Sequence, residues 1–200
     1  MVNKQIYNGK SSKVFTILIV IMLYIFILLI QPKRFYMWYP TIPMYPDNNK
    51  EIDIIVNEYI RNRTYEDIEF FKLTDSNPID AFRGKISEEY FEKLNSLILS
   101  PSIKNKIIFY KLLYNRARPA QVAPDKIDNL YSSTANTAAY PSGHAFQGYY
   151  AAKLLSQWEP ARKKEWDEIA ERVAKIRVIA GLHYPSDNDF ARQLVNKLNV

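Results

Sequence analysis

Arg177-Val-Ile-Ala-Gly-Leu-His-Tyr-Pro-Ser-Asp187 reads as the end of one helix, a turn, and the start of another. Arg177 belongs to the helical pattern before the turn. Gly181 is a helix terminator, because glycine accepts the left-handed conformation in which helices commonly end. Pro185 blocks simple continuation, and Ser186 can cap the next helix. His183 then falls in the turn, and Asp187, four residues on, can reach back to it. A carboxylate bonded to one imidazole nitrogen fixes the tautomer and leaves the other nitrogen as a nucleophile. The plain alternative is a structural His–Asp pair at a helix junction, with Arg177 in a surface ion pair.

Outward from this junction the chain keeps reading as helices. Pro160 to about Ala180 carries proline in the tolerated first turn, and His144 to Trp158 precedes it. Ser102 to Arg116 is another. Ser87, followed by Glu88 and Glu89, opens a helix to about Leu99, with an N-cap and acidic first-turn residues. Thr64 and Asp67 have the spacing of a capping box. Glu51 to Arg61 places apolar residues at 52, 55, 56, 59 and 60, a helical stripe. No run alternates as a strand would, and no repeat occurs. The fold class is all-α, a single helical-bundle domain. Ala120 to Tyr140 is a long loop by pattern, with Pro124, Asn129 and Asn136, and long loops within compact domains are often functional.

The domain has an appendage. Val14 to Ile30 is apolar over 17 residues, interrupted only by the hydroxyls of Thr16 and Tyr24. That is the short end of a membrane span. A cleaved secretory signal needs a small-residue site after the apolar core, and here Gln31-Pro-Lys-Arg34 follows instead. The expected organisation is an N-terminal tail (1–13), a transmembrane signal-anchor helix (14–31), a linker (32–49) with Pro40, Pro43 and Pro46, and a domain (50–200). About 150 residues suffice for one core. Lys4, Lys10 and Lys13 before the span outnumber Lys33 and Arg34 after it. That places the N-terminus in the cytoplasm and the domain on the extracytoplasmic or luminal side.

With no cysteine, disulfides and thiolate metal sites are excluded. A net charge of +6 suits an anionic substrate or an anionic membrane surface. No clustered basic helix with interleaved aromatics occurs, so nucleic acid is not an expected partner.

The chain has only two histidines, His144 and His183. His144 closes Pro141-Ser142-Gly143-His144 at the start of a helical stretch. Backbone N–H groups and the helix dipole favour an anion there, glycine lets it come close, and His144 could give a proton to a leaving oxygen. An ordinary helix N-terminus with a surface histidine is the alternative. Lys111-Leu-Leu-Tyr-Asn-Arg-Ala-Arg118-Pro119 puts a lysine and an arginine seven apart, about 20° from one helix face. Pro119 biases Arg118 toward an extended conformation at the helix end, where its fork could meet a phosphate. A basic solvated face including Arg116 is the alternative.

Taken in order, Lys-x6-Arg-Pro, Pro-Ser-Gly-His and Arg-x5-His-x3-Asp resemble the type 2 phosphatidic acid phosphatase superfamily. That superfamily includes class A nonspecific acid phosphatases, lipid phosphate phosphatases and vanadium haloperoxidases. The resemblance runs from Lys111 to Asp187, and Ala180-Gly-Leu-His-Tyr-Pro-Ser-Asp187 is especially close. One departure is visible: Ile176 stands where the family motif usually has serine before the arginine.

The resemblance implies a fold of the acid phosphatase/haloperoxidase type and a phosphatase acting on phosphomonoesters without metal or other cofactor. His183 would attack phosphorus, Asp187 would orient it, and His144 would protonate the departing alcohol and then activate water. Lys111, Arg118 and Arg177 would hold the phosphoryl oxygens, and Ser142 and the Gly143 N–H would add hydrogen bonds. A protonated His144 favours acidic to neutral activity. The expected partners are a phosphorylated small molecule or lipid head group, and a membrane through 14–31. A lipid phosphate phosphatase, a vanadium haloperoxidase and a non-catalytic phosphate-binding protein are the alternatives. Asp187 with Asp189 is a weak magnesium pair.

Overall fold

A computed structural model describes residues 13–23 and 45–199. Two compact units divide the chain at Phe35 and Tyr36. In the first, residues 13–23 form helix α1, exposed throughout. Among the described residues no helix is long and apolar enough to cross a membrane. Of the expected span, 24–31 lies outside the described residues, as do 1–12 of the tail and the linker to residue 44.

The described part of the second unit contains helices and loops but no strand. Helix α2 (Asn48–Ile54) starts on Asp47, whose side chain accepts from the Asn49 N–H, and runs into a π-helical stretch, Ile55–Ile60. Helix α3 (Tyr65–Asp75) has the capping box that Thr64 and Asp67 predict, with both reciprocal bonds made. A 3₁₀ turn (Pro78–Phe82) leads to α4 (Glu88–Ile98), capped by Ser87 through the Tyr90 N–H. Next come α5 (Pro101–Tyr114), a short α6 (Pro119–Val122), α7 (Gly143–Trp158), α8 (Lys163–Ile179) and α9 (Pro185–Asn196). The 120–140 segment is a loop apart from the last residues of α6.

Helix α7 packs along α8, and α9 lies against α7. Helices α7 and α8 approach closely at Gly148: a Cβ there would meet the Val173 side chain at 3.1 Å and would have to displace it slightly. Phe82, Phe91, Leu94, Phe146 and Trp166 fill the main core beside them. Each such side chain stabilises the fold by about 1.5–3 kcal/mol when fully buried. A second cluster, Ile52, Ile55, Ile127, Val178 and Tyr184, ties α2 to the α8–α9 junction.

The junction follows the sequence in most respects. Gly181 has φ +70°. Its N–H bonds Val178 O at 2.8 Å, and the Leu182 N–H bonds Arg177 O at 3.1 Å, a Schellman closure of α8. Two expectations need correction. Ser186 does not cap α9; it is the helix's second residue, and Asp187 reaches back to the Tyr184 N–H instead. Lys111 and Arg118 do not share a helix face. Helix α5 ends at Tyr114 and Asn115 takes a left-handed conformation, so Arg118 enters from an extended segment before α6.

Candidate active site

The turn after Gly181 drops His183 into the interior, where it is 2% exposed. Its Nδ1 donates to Asp187 Oδ2 at 3.0 Å, and Arg118 Nη1 donates to its Nε2 at 3.2 Å. Arginine can only donate, so Nε2 must carry the lone pair and Nδ1 the proton. Burial, then Arg118 and Lys111, hold the imidazole well below its ordinary pKa. The His183–Asp187 contact is therefore a hydrogen bond from a neutral ring, not an ion pair.

Asp187 is fully buried and takes three donors: Arg116 Nη1 on Oδ1 at 2.7 Å, and His183 Nδ1 and the Tyr184 N–H on Oδ2. Burial pushes its carboxyl up, and Arg116 opposes that push. Asp187 is thus turned toward Arg116, His183 and the Tyr184 N–H. Asp189 lines a different cavity.

Arg177 lies near the C-terminus of α8 and is 1% exposed. Its Nη1 donates to Asp75 Oδ1 at 2.8 Å and its Nη2 to Ser132 Oγ at 3.3 Å, while its Nε–H has no partner among the described residues. The hydroxyl on this arginine thus comes from Ser132 in the long loop. Ile176 packs with Phe71, Ile179 and Leu182 instead. Lys111 is buried on α5 and donates to Ala138 O. Arg118 donates to Thr137 O and Leu182 O, each at 2.9 Å.

His144 stands in the first turn of α7, half-buried, and its Nε2–H donates to Asp75 O at 2.9 Å. Burial, then the Arg177 charge, push its pKa down to about 3. Ser142 is fully buried and caps α7 by accepting the Ala145 N–H. Within the protein alone, a Cβ at Gly143 would make only ordinary contacts with Ile107 and Lys111.

Lys111, Arg118, Gly143, His144, Arg177 and His183 all line one cavity of about 450 Å³. Six of the eight predicted site residues therefore face one space, and Ser142 and Asp187 support them from behind. Burial and the charges of Arg118 and Arg177 disfavour the charged form of Lys111, while Asp187 favours it. A dense group of donors and cations lining one cavity is an anion site. The sequence profile of the PAP2 superfamily matches residues 90–191. The chain belongs to the PAP2 superfamily. No curated protein matches it as a relative. Membership supports a phosphatase-type activity on a phosphate-bearing substrate, and the PAP2 segment spans the cavity's whole set of predicted residues.

Three residues escaped the sequence reading. Arg116, which entered only in the alternative of a solvated basic face, is fully buried and bound to Asp187 and Glu51. Glu51 and Asp75 lie before the PAP2 segment. The only sequence signal was Arg116 itself, standing between Lys111 and Arg118 without a nearby acidic partner.

Proposed function

We propose that the protein is a phosphatase that hydrolyses phosphomonoesters through a phosphohistidine, with side-chain cations in place of a metal. The observation that carries this reading is the placement of His183, with Nδ1 3.0 Å from Asp187 and Nε2 3.2 Å from Arg118, in a cavity also lined by Lys111 and Arg177. A phosphomonoester brings a charge of about −1.5 to −2. The phosphoryl oxygens take over the Arg118 Nη1 donor, the freed Nε2 lone pair attacks phosphorus, the P–O bond to the alcohol breaks, and the imidazolium proton of His144 goes to the leaving oxygen. Phosphorylated at Nε2 and protonated at Nδ1, the His183 ring is cationic, and Asp187 stabilises it. Neutral His144 then takes a proton from water, whose oxygen attacks phosphorus; the P–Nε2 bond breaks, its electron pair returns to His183, and orthophosphate is released.

In the empty site His144 is neutral above about pH 3. The substrate dianion offsets Arg177 and Lys111 and so raises the pKa of this acid. That makes protonation of His144 follow substrate binding.

One observation favours a lipid phosphate as the ester. Pro78, Leu99, Ile107 and Ile108 also line the cavity, and Ile108 and Phe109 are exposed on α5. A phosphate held by the cations with an apolar tail against these residues would use both kinds of lining. The proposed setting is a single-pass anchor through 14–31, with the domain on the extracytoplasmic or luminal side.

Turnover of an aryl phosphate by the full chain, beside His183→Ala, tests the reading. Loss of the nucleophile lowers the rate by about 10⁴-fold or more. Equal, negligible rates in both proteins across roughly pH 4 to 8 would sink it. A panel of sugar phosphates, nucleotides and phosphatidic acid in mixed micelles then separates soluble from lipid esters.

A further inference from the structure

Arg116 is the most completely bonded side chain near the cavity. Its Nε donates to Asn48 Oδ1 at 2.9 Å. Its Nη1 donates to Ser186 Oγ and Asp187 Oδ1, both at 2.7 Å. Its Nη2 donates to Pro46 O at 3.2 Å and Glu51 Oε2 at 2.6 Å. All five N–H groups of a guanidinium are thereby used. The plane also stacks on the Tyr184 ring, 3.7 Å from its centroid. An arginine held this way has one orientation.

Glu51 closes the arrangement. It is 7% exposed. Oε2 accepts from Arg116 and from the Ser186 hydroxyl, and Oε1 accepts from the Ser186 N–H at 2.9 Å. Ser186 thus accepts from Arg116 and donates to Glu51, and the first turn of α9, which carries Asp187, is pinned to α2. Glu51 lies outside residues 90–191, the segment shared with the superfamily profile.

Charge gives the arrangement a second consequence. Arg116 alone would cancel Asp187 and weaken its hold on a cationic His183. With Glu51 present, the Glu51–Arg116–Asp187 set carries one net negative charge behind the imidazole. In a buried site such a charge acts strongly.

We infer that Glu51, acting through Arg116, is a positioning residue for the His183–Asp187 pair: it fixes the carboxylate in place and preserves its negative charge for the phosphorylated state. The inference rests on the phosphohistidine reading above. It concerns how the nucleophile is supported, and neither Glu51 nor Arg116 lines the cavity.

The test uses two anions on the full chain. Vanadate takes a fifth ligand from a nucleophile, whereas sulfate meets only the cations and N–H donors. Glu51→Gln keeps the shape and removes the charge. Expected are a kcat for aryl phosphate lower by about tenfold with KM within about twofold, and a vanadate Kd weaker by about tenfold with sulfate within about twofold. Glu51→Asp, which keeps the charge, recovers part of the vanadate affinity. Unchanged affinities and kcat, or equal weakening of both anions, would overturn the inference, since a merely structural loss treats the two alike. If Glu51→Gln does not fold, Arg116→Lys gives the same reading: selective loss of vanadate supports the inference and proportionate loss refutes it. Failure of the wild type to turn over phosphate esters and to bind either anion would instead refute the phosphatase reading.

Discussion

The two sides of His183 are built on opposite electrostatic plans. Behind it, Arg116 meets both Asp187 and Glu51, and every guanidinium N–H is bonded. In front, Lys111, Arg118 and Arg177 crowd one cavity, and burial with mutual repulsion lowers the pKa of both Lys111 and His144. The rear is finished by folding alone. The front is completed only when an anion enters. Two arginines separated by a single residue, Arg116 and Arg118, belong to these different plans, which shows how little local sequence says about the job of a buried cation.

Substitutions on the two sides should therefore move different quantities. Arg116→Met removes the cation from two buried carboxylates and is expected to cost about 3–5 kcal/mol of stability, measured by chemical denaturation. A loss below about 1 kcal/mol would erase the distinction, since that is the worth of an exposed pair. Lys111→Met removes repulsion and should leave the melting temperature unchanged or higher, while turnover falls by about 10²–10³-fold. A variant that melts earlier and keeps its rate would place Lys111 in the rear plan.

The smallest expected effect is one of pH. His144 and His183 have pKa values below the ordinary 6.5 in the folded protein. The stability they contribute is fully present above about pH 6.5 and is lost as pH falls toward the folded value, about 3 for His144. The melting temperature should fall between roughly pH 6.5 and 5, above the range where most carboxylates titrate. Saturating sulfate should blunt that fall by raising the pKa of His144. A melting temperature flat over this interval, with and without sulfate, would show that the front is not strained by its cations.

Local chemistry explains what could be read from the sequence. Thr64, Ser87 and Gly181 act within a few residues of themselves, so the helix ends they set were legible. The cavity set was legible because Lys111, Arg118, His144, Arg177 and His183 form ordered motifs. Arg116 was not, because its partners Glu51 and Asp187 lie 65 and 71 residues away. Asp75 was hidden in the same way, 102 residues before Arg177. The left-handed Asn115 also defeated the helical-face argument for Lys111 and Arg118, although Pro119 correctly marked Arg118 as extended. Of the N-terminal apolar run, 14–23 lies in α1 and 24–30 lies outside the described residues, and the anchor is a proposal from sequence.

Lys111, Arg118 and Arg177 cannot distinguish a phosphate ester from the orthophosphate left after hydrolysis. Both present the same oxygens and similar charge. A cavity made so receptive to its substrate is also a trap for its product. On the proposed phosphatase reading, release of orthophosphate is the natural brake on the cycle, and environmental phosphate is expected to inhibit without any separate regulatory site.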